Sequence, residues 1–170
     1  GTTFVGRDGF DERSGIRALS GTREVVVRAC RITGVAHQPV CLGGRGRQED
    51  HIGRASEHPP FEVDHVRIEH CLFDGGLCGI AFVHCRDAKI ERSTFCNQRE
   101  AIVSVRSAHE GAERPPLIRS CVFEACLITW PETLSTLLHR PPGFDPAEAI
   151  VLAENLWWSP GWTDSSQPPG

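Results

Sequence analysis

Three histidines recur at intervals of seven, His51, His58 and His65, and carboxylates stand among them at Glu49, Asp50, Glu57 and Asp64. Imidazole and carboxylate side by side are the parts of a general acid–base pair or of a zinc site. The spacing matches no metal-ligand motif, so no metal and no cofactor is assigned. Asp50 and His51 are the catalytic candidates. Just upstream, Gly43-Gly44-Arg45-Gly46-Arg47 offers a backbone able to form an anion-binding nest with two guanidiniums beside it. Arg45, Arg47, Glu49, His58 and Asp64 are therefore the binding candidates. Acidic-histidine loops are ordinarily just solvated, and the chemical reading competes with that plainer one. The eight cysteines contain no C-x-x-C, so they spell neither a redox motif nor a zinc knuckle.

The elements that must position these groups come from a repeat. Val27-Arg28-Ala29-Cys30-Arg31-Ile32, Ile68-Glu69-His70-Cys71-Leu72-Phe73, Ile90-Glu91-Arg92-Ser93-Thr94-Phe95, Ile118-Arg119-Ser120-Cys121-Val122-Phe123 and, more weakly, Leu152-Ala153-Glu154-Asn155-Leu156-Trp157 share one pattern. It runs apolar, two residues, small or polar, one residue, large apolar. Each copy reads as two period-2 strands joined by a short bend. A third strand recurs at Gly15–Ala18, Pro39–Leu42, Gly79–Phe82, Ala101–Ser104 and Cys126–Thr129. Equivalent positions 27, 68, 90, 118 and 152 have a shortest interval of 22, which sets the bare repeat. The surplus falls in 43–62, 107–115 and 131–147, always after the third strand, so the long loops share one corner.

This pattern resembles the right-handed parallel β-helix of the pectate-lyase-like superfamily over about residues 15–157. The resemblance implies an all-β solenoid of about five coils, with a ladder of stacked Asn or Cys beside the short bend, here Cys30, Cys71, Ser93, Cys121 and Asn155. It implies a ligand cleft along the outward side of the strand matching Gly79–Phe82, and an extracytoplasmic setting. Residues 1–14 then form a partial coil or N-terminal edge, with Thr3-Phe4-Val5 as a candidate strand, and 158–170 a Trp- and Pro-rich tail.

With Ile80, Phe82 and Ile102 inward, Ala81, Val83, Val103 and Val105 point outward. That apolar stripe must be covered or become an interface with a protein partner or second copy. In 131–139, Pro131, Glu132, Leu134, Leu137 and Leu138 are spaced for a short amphipathic helix that would cover it. On the second strands Arg67 and Lys89 should stack, as should Glu69 and Glu91, giving crossed ion pairs. Stacked ladder thiols point the same way and are expected to stay reduced.

Composition narrows the function. A chain of 170 residues with net charge −4 is one domain without a polyanion-binding surface, so nucleic acid is disfavoured. No apolar run is long enough to span a bilayer, and the N-terminus lacks a signal-peptide pattern. The absence of methionine, even at position 1, suggests a processed product or a piece of a longer protein. Two functions follow: a carbohydrate-related β-helix that binds or processes an extended polysaccharide along its loop face, or a non-catalytic assembly module docking through its apolar stripe and open end. No complete catalytic constellation stands on the expected face.

Overall fold

The computed structural model describes residues 2–5, 14–18, 21–44, 62–106, 116–129, 134–147 and 149–159. Among them there are strands and no helix. The chain visits three sheets in strict rotation. Sheet one holds Thr2–Val5, Cys30–Thr33, Leu72–Asp74, Thr94–Cys96, Leu127–Thr129 and Leu156–Trp158. Sheet two holds Ser14–Ala18, Gln38–Leu42, Cys78–Phe82, Ala101–Val105 and Thr136–His139, and sheet three Thr22–Arg28, Val63–Glu69, Cys85–Glu91, Ile118–Arg119, Cys121–Glu124 and Ile150–Ala153. Every pairing is parallel, an arrangement compatible with a parallel β-solenoid.

Because each strand pairs with its equivalent in the next circuit, like residues stack into columns. Val27, Ile68, Ile90, Phe123 and Leu152 form one, and Ile32, Phe73, Phe95, Ile128 and Trp157 another. Phe73 and Phe95 stack with centroids 4.9 Å apart, and Phe95 leans on Phe123 at 5.9 Å. The interior is thus filled largely by aromatic and branched side chains packed against one another.

Two columns of left-handed residues make the bends. Ala29, His70, Arg92, Ala125 and Glu154, with φ from 46° to 54°, turn the chain from sheet three into sheet one. Glu24, His65, Asp87 and Ser120, with φ from 52° to 55°, kink the strands of sheet three. None is glycine, so each carries a backbone cost of about 1–2 kcal/mol that the sheet pairing on either side must offset.

Three sequence expectations change here. The fourth repeat is misphased: Phe123–Ile128, not Ile118–Phe123, is equivalent to Ile90–Phe95. Cys121 falls in the sheet-three column above Ala88, and Cys126 takes its place in the ladder. The two bends are both built as apolar, any, left-handed, small, so local pattern could not separate them. The ladder itself works by capping. Cys30, Cys71, Ser93 and Cys126 each donate to the carbonyl two residues back, at 3.3, 3.3, 3.0 and 3.4 Å. Ser93 Oγ accepts the Cys71 N–H and Asn155 Oδ1 the Cys126 N–H, tying neighbouring circuits. All eight thiols are unbridged.

The helix expected in 131–139 is replaced by the strand Thr136–His139, paired in register with Ala101–Ser104. A sheet edge with unsatisfied backbone groups outweighs a short helical spacing, and Leu138 stacks on Val103 while Leu134 is buried. The stripe also changes. Val103 pairs with Ile80 and Val105 with Phe82, so both valines belong to the core rather than the outer face. Ile102 is buried as well, beside Gly79, where an added Cβ would come within 2.7 Å of both Ile102 O and Phe95 Cδ1. That close approach draws consecutive residues inward, and a one-residue shift exchanges the two faces of the strand beyond it.

Candidate functional site

With the register corrected, the outward row of sheet two is Arg17, Cys41, Ala81, Ser104 and His139, one residue per strand. At about 4.8 Å per strand the row extends about 19 Å. Arg106 joins it from the end of its own strand, donating Nε–H to Ser104 Oγ at 3.1 Å and Nη2–H to Cys78 Sγ at 3.9 Å. Cys41, Ala81 and Val83 form a small buried cluster separate from the main core. The row is therefore exposed and polar at Arg17 and His139 and buried between them, whereas the sequence spacing implies an apolar stripe throughout.

The longest connections all run from the ends of sheet-two strands to sheet three. From sheet two to sheet three the chain takes 20 residues after Leu42, 12 after Val105 and 10 after His139, but two after Phe82. From sheet three to sheet one no connection exceeds two residues. The expected common corner is thus present, though the third long connection starts at 140, not at 131.

Chemistry on this face is constrained by burial. The Cys41 thiol is pushed up by desolvation, against the opposing pull of Arg17 and Arg106, and Cys78 is pushed up by desolvation too. Both stay protonated at neutral pH and are poor nucleophiles. At the corner, Gly43 and Gly44 take φ of 95° and 93°, and the Gly44 N–H donates to Glu62 Oε2 at 2.7 Å. The glycine pair does bind an anion, and that anion is the chain's own carboxylate.

Arg45, Arg47, Glu49, Asp50, His51 and His58 lie outside the described residues. Asp64 lies on the outer side of sheet three, away from the row. It accepts from Arg86 Nε at 3.1 Å and Nη2 at 2.5 Å, and from His65 Nδ1 at 2.8 Å. The hydrogen-bonded guanidinium holds the Asp64 carboxyl below its ordinary range despite desolvation. Ligand atoms of Asp64, His65 and Asp87 lie within 4.8 Å of one another, but Arg86 already supplies the cation, also approaching Asp87 at 3.4 Å. The cluster is an ion network.

The rest of that outer side is also internally neutralised. Arg67 stacks on Lys89 and Glu69 on Glu91, as expected. Arg67 meets Glu91 at 2.7 Å, Lys89 meets Glu91 at 3.1 Å and Glu124 at 2.7 Å, and Arg28 pairs with Glu69. Glu69 and Glu91 are buried, so this network is less solvated than an open surface ladder. Among the described residues neither Arg17 nor Arg106 has a carboxylate ion-pair partner. Sequence reasoning missed Arg17, Cys41, Ser104, Arg106 and His139. The signal was the match of Val103-Ser104-Val105 to Ile80-Ala81-Phe82, in place of Ile102 to Ile80.

In comparisons with known proteins, the chain matches no family model, no curated protein and no solved structure. No helix among the described residues is long and apolar enough to cross a membrane.

Proposed function

We propose that the chain is a right-handed parallel β-helix of the pectate-lyase-like kind and that it binds an extended glycan along the outward face of sheet two. The observation that carries this reading is the in-register row from Arg17 to His139, exposed at Arg17 and His139 and buried between them at Cys41, Ala81 and Ser104. Such a row suits a ligand that repeats along its length, the guanidiniums of Arg17 and Arg106 bonding hydroxyl or carboxylate oxygens.

Binding, rather than cleavage, is the activity proposed. The face's two cysteines are held protonated, and Glu62 is engaged by the Gly44 N–H. The competing assembly reading loses two members of its stripe, because Val103 and Val105 are interior. The test is a glycan array followed by titration with the saccharide that binds. Arg106→Ala and Arg17→Ala should each weaken binding at least tenfold with unchanged melting temperature. A silent array, or hits that both variants retain at full affinity, ends the reading.

A further inference from the structure

Two of the long connections return to sheet three at one residue. His84 closes the two-residue connection after Phe82 and is half-buried. Its carbonyl accepts the Glu62 N–H at 2.9 Å and the Val63 N–H at 3.1 Å, where the chain comes back from the 20-residue connection after Leu42. Its imidazole holds the other return: Nδ1 accepts the Leu117 N–H at 3.0 Å, at the close of the 12-residue connection after Val105. The Leu117 carbonyl accepts the Cys85 N–H at 3.1 Å, and the two-residue strand Ile118–Arg119 begins at the next residue. One imidazole thus fastens the entrance of the shortest strand in sheet three.

The two anchors differ in chemistry. A carbonyl accepts at every pH, whereas a histidine nitrogen accepts only while unprotonated, so Nδ1 as acceptor leaves the single ring proton on Nε2. A second proton turns Nδ1 into a donor. Donor then faces donor, and the bond to Leu117 is lost. On the elements packed around His84 the charged and titratable groups are Glu62, which accepts from the Gly44 N–H, Arg17 beside Gly44, Cys41, Arg106 on Ser104 and Cys78, Cys85, Arg86 paired with Asp64, and Arg119. Imidazole alone among these side-chain types ordinarily changes charge between about pH 5 and 8.

We propose that His84 is an acid-sensitive latch: its neutral imidazole fastens the entrance of Ile118–Arg119, and its protonation releases that entrance while the return at Glu62 and Val63 stays fastened to the His84 carbonyl. The latch works with or without a ligand on sheet two. Leu117 is 41% exposed, so the protection of its amide comes from this bond more than from burial.

Amide hydrogen exchange read by NMR tests this, each rate being compared with the intrinsic rate at the same pH. In the wild type the protection of the Leu117 amide should fall about fivefold or more between about pH 7.5 and about pH 5, while Glu62 and Val63 keep theirs within about twofold. Those two amides are the internal control. In His84→Ala the Leu117 protection should be low, and in His84→Asn, whose side-chain oxygen can stand in for Nδ1, higher; in both it should be independent of pH. Wild-type protection at Leu117 that is absent or constant across the range overturns the proposal. So does a pH-dependent fall that persists in either variant, or one shared by Glu62 and Val63, since each would place the loosening outside the imidazole.

Discussion

Gly79→Ala should destabilise the protein by about 1–3 kcal/mol, the usual cost of forcing a methyl group into a filled interior. Gly79 has an ordinary negative-φ backbone, so the cost is one of space. A Cβ there would stand 2.7 Å from Ile102 O and 2.7 Å from Phe95 Cδ1, both too close for carbon. Phe95→Ala alone should cost about 3–5 kcal/mol, because the ring is fully buried between Phe73 and Phe123. Combined, the two should cost less than their sum by about 0.5–3 kcal/mol, since removing the ring abolishes one of the two clashes. Rescue should be incomplete, because the Ile102 carbonyl belongs to the backbone and stays. Urea unfolding followed by circular dichroism gives each ΔΔG from the midpoint at constant m. Additivity within about 0.3–0.5 kcal/mol would refute the packing of sheet two against the Phe95 column. A neutral Gly79→Ala would refute the close approach itself, and with it the register that places Arg17, Ser104 and His139 in one row.

Val103→Asp should destabilise by about 3 kcal/mol or more, because the carboxylate would enter the core, and an unfolding midpoint equal to wild type would return Val103 to the surface. Ala125→Gly should stabilise by up to about 1 kcal/mol, since Ala125 holds φ 51° on an exposed bend; a loss of stability in urea would contradict that conformation. Glu91 is held low by hydrogen bonds from Arg67 and Lys89, and Asp64 by Arg86. Their contribution is complete above the unfolded values near pH 4 and is lost as pH falls through the lower folded ones. Glu91→Gln should flatten the acid limb of stability against pH, and an unchanged limb would discount the network. Cys71, Cys85, Cys121 and Cys126 should react with a thiol reagent only after unfolding, and half-buried Cys96 slowly even at pH 8, its pKa pushed up to about 11 by burial and Asp74. Rapid labelling of any of the four in native protein would contradict the burial.

The sequence by itself determined the three-strand repeat, the two-residue bend and the corner where the chain lengthens. These are local properties. Ile68-Glu69-His70-Cys71-Leu72-Phe73 and Ile90-Glu91-Arg92-Ser93-Thr94-Phe95 alternate on either side of one left-handed residue, and the same alternation predicts the stacking of Arg67 on Lys89 and Glu69 on Glu91. Only the tertiary structure decided phase and facing. Cys121 and Cys126 both follow a left-handed residue, and which one joins the ladder depends on which strand pairs above Ser93. Leu134, Leu137 and Leu138 fit a helix as well as a strand, and the open edge of Ala101–Val105 chose the strand by satisfying its hydrogen bonds. At Ile102 and Val103 two apolar neighbours compete for one inward position, and the missing side chain of Gly79 admits both. That contact between circuits turned Ser104 outward, so the candidate site was set by packing across the stack, where a period-2 pattern within one strand carries no information.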